Sequence, residues 1–435
     1  MTGASLAEAL VARGLDASEL AAKQALFTSV LETHAMVHKG PPEHAWWVPG
    51  RLEVFGKHTD YAGGRTLVCA VPRGFGIVAR ARADGVIHVA DAWRGDSVTL
   101  RPATDHTSHS GWRHYVQVAV RRLAANFPGC SFGADLVIAS DLPRAAGMSS
   151  SSALVVGIAT ALGHLGAVRK HPAWKTYVRT SLDAAAYYAC IENGRRFGGL
   201  HGDAGVGTHG GSEDHAAIVE GRSGEVTAFA FVPPRAIDSV HVPDRWTFVI
   251  APSGVAARKT GSAKEPYNRL AAGAAALLTL WNDACAPKPA VSLAEALASS
   301  ADALDRLRAA VRRSAVPDWP APDLERRLDH FVREDRRVPQ AVEAFRRSDA
   351  NVLGRLSAES QADAETLLGN QVAETAVLVG SARKLGAFAA SGFGAGFGGS
   401  VWALVERDAA PDFARRWHRD AFIARPGPPL TMVSP

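Results

Sequence analysis

Apolar residues change their spacing several times along this chain, and each change marks an element. Residues 6–34 carry them at helical intervals, which predicts a leading helix or two. The run 46–48 is apolar and aromatic and stops at Pro49-Gly50, so a short strand is expected there. Further strands are expected over 52–55 and 66–71, with a polar turn at 57–64 between them. Short β-type runs bounded by Gly and Asp follow at 75–82, 86–90 and 97–100. Residues 112–126 place Tyr115, Val116, Val120 and Leu123 on one helical face. A strand over 134–139 then leads through a Pro/Gly turn to an Ala-rich helix with Val155, Ala159 and Leu162 inward. A second long helix is predicted over 182–197, ending at Gly198-Gly199. A Gly-rich loop follows at 198–211, then strands over 216–220 and 245–252. From 267 to about 385 the pattern is helical, broken at 287–289 and 316–322. A small-residue loop (387–397), a strand (400–405), a helix (410–422) and a closing strand (430–433) complete the chain.

β-runs lead and helices dominate later, which argues for an α+β fold rather than a doubly wound parallel sheet. Pro233-Pro234 interrupts the pattern, so the expected division is a first domain over 1–235 and a second over 236–435. A length of 435 residues with 47% hydrophobic content suits two or three domains with a sizeable core. The net charge of +5 hints at anionic ligands. The basic pairs Arg121-Arg122, Arg195-Arg196, Arg312-Arg313 and Arg346-Arg347 have acidic neighbours, however, and read as solvated helix faces. No nucleic-acid module is present, so no DNA or RNA partner is expected. Cys69, Cys130, Cys190 and Cys285 form no CxxC pair and read as reduced thiols. No basic start followed by an apolar stretch opens the chain, and no run approaches the ~20 apolar residues of a membrane span. A cytoplasmic location without membrane contact is the expectation.

Residues 141–153 carry the most chemistry: Asp-Leu-Pro-Arg-Ala-Ala-Gly-Met-Ser-Ser-Ser-Ser-Ala, between a strand and an apolar helix. Such a turn aims unpaired N–H groups and the positive end of a helix dipole at one point, where an anion binds. Gly147, Met148, Ser149, Ser150, Ser151 and Ser152 would form the cradle. Serine hydroxyls add donors for phosphate and an oxygen for Mg²⁺. An ordinary serine cap on a buried helix is the competing reading. Two further segments bear on the choice. Residues 49–64 read Pro-Gly-Arg-Leu-Glu-Val-Phe-Gly-Lys-His-Thr-Asp-Tyr-Ala-Gly-Gly, and residues 392–400 read Gly-Phe-Gly-Ala-Gly-Phe-Gly-Gly-Ser. With these three segments the chain resembles the GHMP small-molecule kinases, and within them the galactokinases. That family opens with Pro-Gly-Arg…Gly-Glu-His-Thr-Asp-Tyr, carries Pro-x-x-x-Gly-Leu-Ser-Ser-Ser in the middle and ends with Gly-Gly-Gly-Phe-Gly-Gly. The motifs occur here in the same order, from residue 49 to residue 400.

The resemblance implies an N-terminal domain like a ribosomal-protein S5 module, a ferredoxin-like C-terminal domain with extra helices, and an active site between them. It implies ATP and Mg²⁺ as cofactors and a small sugar as partner. Asp214, in Gly-Gly-Ser-Glu-Asp-His, falls at the place of the family's catalytic Asp, with Glu213 as its immediate rival. A carboxylate there can accept or orient the proton of the sugar hydroxyl. Arg51 would keep that carboxylate ionised and stabilise the transferring phosphoryl group. Ser151 is the aligned Mg²⁺ contact, with Ser150 and Ser152 beside it, and Glu192 matches the metal-binding carboxylate of the family. His58, Asp60 and Tyr61 match the sugar-contact turn. Lys57 stands where galactokinases have Glu, and so raises a hexuronic acid such as galacturonate as an alternative to galactose. Gly394, Gly396, Gly398 and Gly399 would close the phosphate site from the second domain, with Ala395 replacing a family glycine. His201, Asp203, His209 and His215 read as polar loop residues rather than a metal cluster. The expected activity is ATP-dependent phosphorylation of the anomeric hydroxyl of a hexose, with a non-catalytic sugar and ATP sensor as the rival class.

Overall fold

The computed structural model describes residues 1–102, 107–257, 263–285 and 288–434. Seven of the eight strands of the first sheet are β1 (His44–Phe55), β2 (Arg65–Ala81), β3 (Ile87–Asp91), β4 (Asp96–Leu100), β5 (Ala134–Ser140), β6 (Glu225–Ala230) and β7 (Arg235–His241). The second sheet is antiparallel, in the order β11–β8–β10–β9, from β8 (Trp246–Pro252), β9 (Ala389–Phe393), β10 (Ser400–Glu406) and β11 (Phe422–Ala424). A last short strand, β12 (Thr431–Met432), returns to pair with β1. The fold is thus α+β with two sheets. The division expected at residues 235/236 falls at the start of β7, which stays hydrogen-bonded to β6 of the first sheet as far as His241.

β1 shows how the sequence selects its place. Side chains alternate across a strand, so Trp46 and Val48 enter the core beneath the helices Trp112–Asn126, Ser150–Leu165 and Ser181–Asn193. Ala45 and Trp47 enter the opposite face, covered by the leading helices Gly3–Val11 and Leu20–Val37 through Leu6, Leu10, Phe27 and Val30. Helices Lys264–Ala284, Ala303–Arg313 and Ala321–Arg346 form a separate apolar cluster around Leu277, Trp281, Leu307, Leu328 and Phe331. Among the described residues no helix is long and apolar enough to cross a membrane.

Several boundaries differ from expectation. Residues 46–55 form one strand rather than two, because the pairing with β2 absorbs Pro49-Gly50 as a register shift between Pro49 and Arg51. Residues 66–81 likewise lie in the single strand β2, which ends one residue short of the expected 82. The helix expected over 182–197 is Ser181–Asn193: Thr180 and Asp183 cap its start, and Gly194, at φ +81°, ends it before Gly198 is reached. Residues 216–220 are helical (Glu213–Glu220), not a strand. A short apolar run has no diagnostic period, and the acidic pair Glu213-Asp214 suits the positive end of a helix dipole. Part of the expected 387–397 loop is β9.

Candidate active site

The three motifs meet in a cleft lined by residues of both sheet regions, from Arg51 on β1 to Gly394 and Ala395 after β9. Arg51 organises it. Its Nε donates to Asp214 Oδ1 (2.6 Å), Nη1 to the Gly147 carbonyl (2.7 Å) and Nη2 to Glu213 Oε1 (3.3 Å). One side chain, 2% exposed, therefore joins β1, the serine turn and the helix bearing both acids. Burial by itself would lower the guanidinium pKa, but Asp214 and Glu213 outweigh it and hold the cation charged. The register shift beside Arg51 turns it out of the pleat toward these partners.

Above Arg51, the serine turn carries Gly147 at φ +73° and Ser149 at φ +57°, and the helix Ser150–Leu165 begins there. Ser149 does not cap that helix through its side chain. Its buried Oγ has no hydrogen-bond partner. The ordinary cap reading therefore does not describe this turn. An orphaned hydroxyl beside the free first N–H groups of a 16-residue helix fits a phosphate group.

Ser152 lies between the two acids, its Oγ donating to Glu192 Oε2 (2.7 Å) and standing 3.2 Å from Asp214 Oδ2. Three oxygen-bearing side chains converge there, which is the ligand chemistry a hard cation such as Mg²⁺ takes. Glu192 Oε2 is also 3.2 Å from His215 Nε2. On the other wall, Asp60 Oδ2 accepts the Glu213 N–H (3.1 Å). His58 Nε2 lies 3.1 Å from the Ala395 carbonyl and Nδ1 lies 3.0 Å from Tyr61 Oη. A carbonyl only accepts, so Nε2 carries the proton and Nδ1 accepts from the tyrosine hydroxyl. That hydroxyl in turn accepts from Arg327 Nη2 (3.1 Å), and burial pushes its pKa up to about 12.

Residues 32–81 match the galactokinase galactose-binding signature, residues 114–189 the GHMP kinases N-terminal domain and residues 341–424 the GHMP kinases C-terminal region. A galactokinase from Roseiflexus sp. (strain RS-1) is 27% identical over 84% of this chain and 84% of its own length. One from Streptomyces coelicolor is 28% identical over 92% of this chain and 94% of its own. The crystal structure of Lactococcus lactis galactokinase complexed with galactose superposes with a TM-score of 0.74 at 22% identity, covering 92% of this chain and 98% of that one. The Methanococcus jannaschii mevalonate kinase shares the fold more distantly, with a TM-score of 0.57 at 14% identity, covering 89% of this chain and 99% of its own. The chain belongs to the GHMP kinase superfamily, in its galactokinase family.

Its α+β architecture is the two-domain GHMP kinase fold, and its chemistry is phosphoryl transfer to an alcohol group. In the closing glycine loop Gly394, Gly396, Gly398 and Gly399 all have positive φ, and Ala395 lies outside the left-handed region, so its methyl group is tolerated. At Gly394 (φ +78°) a Cβ would stand 2.7 Å from the Gly147 carbonyl that Arg51 binds. Ser400 Oγ donates to the Ala146 carbonyl (2.7 Å), locking the loop onto the serine turn.

Two expectations need correction. Ser152, rather than Ser151, stands between Glu192 and Asp214; Ser151 is half-buried and does not line the cleft. Lys57 does not line the cleft. Its ammonium donates to Ser360 Oγ (2.6 Å) and lies 3.9 Å from Glu334 Oε1, with Lys57 and Glu334 both fully buried away from the cleft. Glu334 also accepts from the Gly56 N–H (3.0 Å) and from Arg337 Nη1 (2.9 Å). Burial would raise its pKa, yet Lys57 and Arg337 hold it below the usual carboxylate range. Among the described residues His201, Asp203, His209 and His215, the last of them on the helix Glu213–Glu220, form no metal-holding group; Asp203 pairs with Arg121 (2.9 Å) and with the buried Arg122 (3.4 Å), which is therefore no solvated face.

Glu53 and His215 were not singled out as site residues from sequence, and both line the cleft. Glu53 shares a strand with Arg51 two residues on, so strand alternation was the signal that could have found it. Burial first and the neighbouring Glu53 second push Glu213 well above the usual carboxylate range, against the pull of Arg51. Glu213 is thereby suited to hold a proton, leaving Asp214 as the carboxylate tied most tightly to the cation. Gly211 is required by close approach. A Cβ there would stand 2.1 Å from Asp60 Oδ2 and 2.8 Å from the Tyr61 nitrogen. Gly211→Ala is expected to lower kcat/KM for the sugar by roughly 10–100-fold, by displacing Asp60, in steady-state assays.

Proposed function

We propose that this chain transfers the γ-phosphoryl group of ATP to the anomeric hydroxyl of galactose. The observation that carries the reading is the convergence of Arg51, Ser152, Glu192 and Asp214 on one cleft beneath the serine turn, with Asp60 and His58 on its sugar side. Asp214 accepts the proton of the attacking hydroxyl or holds that hydroxyl oriented while the loose transition state develops. Arg51 keeps Asp214 ionised and offers positive charge at the transferring group. The serine turn, Gly147 to Ser152, binds the phosphates through N–H groups, Ser149 Oγ adds a donor, and Gly394 to Gly399 covers them. Glu192 and the Ser152 hydroxyl would hold Mg²⁺, whose chemistry there would be neutralisation of phosphate charge. Asp60 accepts sugar hydroxyls, and His58 and Tyr61 shape the same wall. The proposed setting is the cytoplasm, where ATP and Mg²⁺ are supplied together.

The electrostatics of the cleft favour neutral galactose over galacturonate. Glu53, Asp60, Glu192, Glu213 and Asp214 line it, and Arg51 is the only Lys or Arg among the described lining residues. A substrate carboxylate would enter a field of its own sign without a free cation to meet it. ATP consumption measured across neutral hexoses and hexuronic acids tests this. Galactose should be turned over, with galacturonate at least about tenfold poorer in kcat/KM, a difference of roughly 1.4 kcal/mol. Preferred turnover of galacturonate would overturn the substrate assignment, and ligand binding without turnover of any sugar would overturn the activity.

A further inference from the structure

A second cluster of ligating side chains lies outside the cleft, where the helix Leu20–Val37 ends against the first sheet. His88 on β3 and Asp135 on β5 are direct partners across a parallel strand pair. His38, the residue closing the helix, reaches over both. Its Nδ1 is 3.1 Å from Asp135 Oδ1, and its Nε2 is 3.4 Å from His88 Nδ1. One ligand atom from each of the three residues lies within 4.8 Å of the others. One helical turn earlier, His34 is fully buried, neither of its ring nitrogens has a hydrogen-bond partner, and its ring packs 4.9 Å from that of His38.

We propose that His38, His88 and Asp135 bind one divalent transition cation of the Zn²⁺ class. Zn–N bonds of about 2.0–2.1 Å in a tetrahedron place neighbouring ligand atoms roughly 3.3–3.4 Å apart, which is the separation of the two imidazole nitrogens. Two imidazoles and a carboxylate are an N/O donor set that such ions take, and a partly exposed rim at His88 gives the ion a way in. The unpartnered imidazole of His34 stands behind His38, and water would complete the shell. The opposing charges are Arg82, whose Nη1 donates to Asp135 Oδ1 (2.8 Å), and Arg80, whose charge is felt at His34. Arg82 shares its charge with Asp84 in solvent, at 2.6 Å, and so opposes the ion only weakly. The ion would tie the end of the leading helix to the sheet, remote from phosphoryl transfer.

The test uses the full chain, stripped with chelator and titrated with Zn²⁺ alone by calorimetry and with Co²⁺ alone by visible absorbance. Wild type should take up one ion with the intense d–d bands of tetrahedral Co²⁺, and its thermal midpoint should rise with Zn²⁺. His88→Ala should bind at least ~100-fold more weakly, since even outer partners of metal ligands cost up to about that factor. It should keep the metal-free midpoint and the Mg²⁺-dependent turnover of wild type. His38→Gln supplies the same comparison should His88→Ala not fold. Absence of a tight equivalent in wild type, or equal binding by wild type and the variants, would overturn the proposal.

Discussion

Asp214→Asn should leave the protein folded and lower kcat by about 10²–10⁴-fold, the range lost when a positioned general base is removed. Asparagine keeps the volume of the side chain and an oxygen for the Arg51 Nε contact at 2.6 Å, so the scaffold of the cleft survives. It cannot accept a proton at the working pH, and the charge that balances Arg51 is reduced to that of Glu213, 3.3 Å away and pushed toward its protonated form by burial. Asp60 and His58 still face the sugar, so KM should change little. A loss confined to kcat is the signature of an interaction made in the transition state. Glu213→Gln is the internal control. Glu213 is the acid suited to hold a proton, so its amide should cost far less than that of Asp214. A kcat within tenfold of wild type for Asp214→Asn, or a larger loss for Glu213→Gln, would move the base to the other acid. Steady-state kinetics at saturating ATP, with circular dichroism to confirm folding, decide it.

Lys57→Glu should destabilise the protein by about 3–5 kcal/mol, as expected when a buried ion pair is broken and a charge is left uncompensated. The introduced carboxylate would replace a fully buried ammonium 3.9 Å from Glu334, itself fully buried, and the Ser360 hydroxyl would face two acceptors. Lys57→Met is the milder change, because Arg337 still pairs with Glu334 at 2.9 Å; about 1–3 kcal/mol is expected from the lost hydrogen bond and charge. Glu334 sits below the ordinary carboxylate range when folded, so this stabilisation is complete at neutral pH and is lost as pH falls through that lowered pKa. Urea or thermal unfolding reads both values. Because Lys57 does not line the cleft, Lys57→Met should leave the ratio of galactose to galacturonate turnover unchanged. A Lys57→Glu protein of wild-type stability with raised galactose turnover would show that position 57 does reach the sugar.

Charge pairing across long stretches of chain explains where reading the residues fell short. Lys57 sits between the cleft and the core: its sequence neighbours His58 and Asp60 line the cleft, whereas its own side chain turns inward. Its partner Glu334 is 277 residues away on the helix Ala321–Arg346, and no local pattern announces a pairing of that span. The choice of Ser152 over Ser151 is a matter of helical phase. Each residue turns the side chain by about 100°, so the serine that meets Glu192 depends on where the helix begins. That start is set by left-handed backbone at Ser149, which an alignment of serines does not reveal.

What the sequence by itself determined is local and stereochemical. Glycines at 147, 394, 396, 398 and 399 demand positive φ, Thr180 with Asp183 starts a helix, and alternation in β1 divides Trp46 from Trp47 across the sheet. The order of the three motifs named the family and the fold. Only the tertiary structure decided which charges are neighbours: Arg51 with Asp214 across 163 residues, Lys57 with Glu334, His38 with Asp135. Backbone preference is a property of a residue and its immediate flanks, whereas desolvation and Coulomb attraction act through space and are fixed only once the sheets and helices have closed around them.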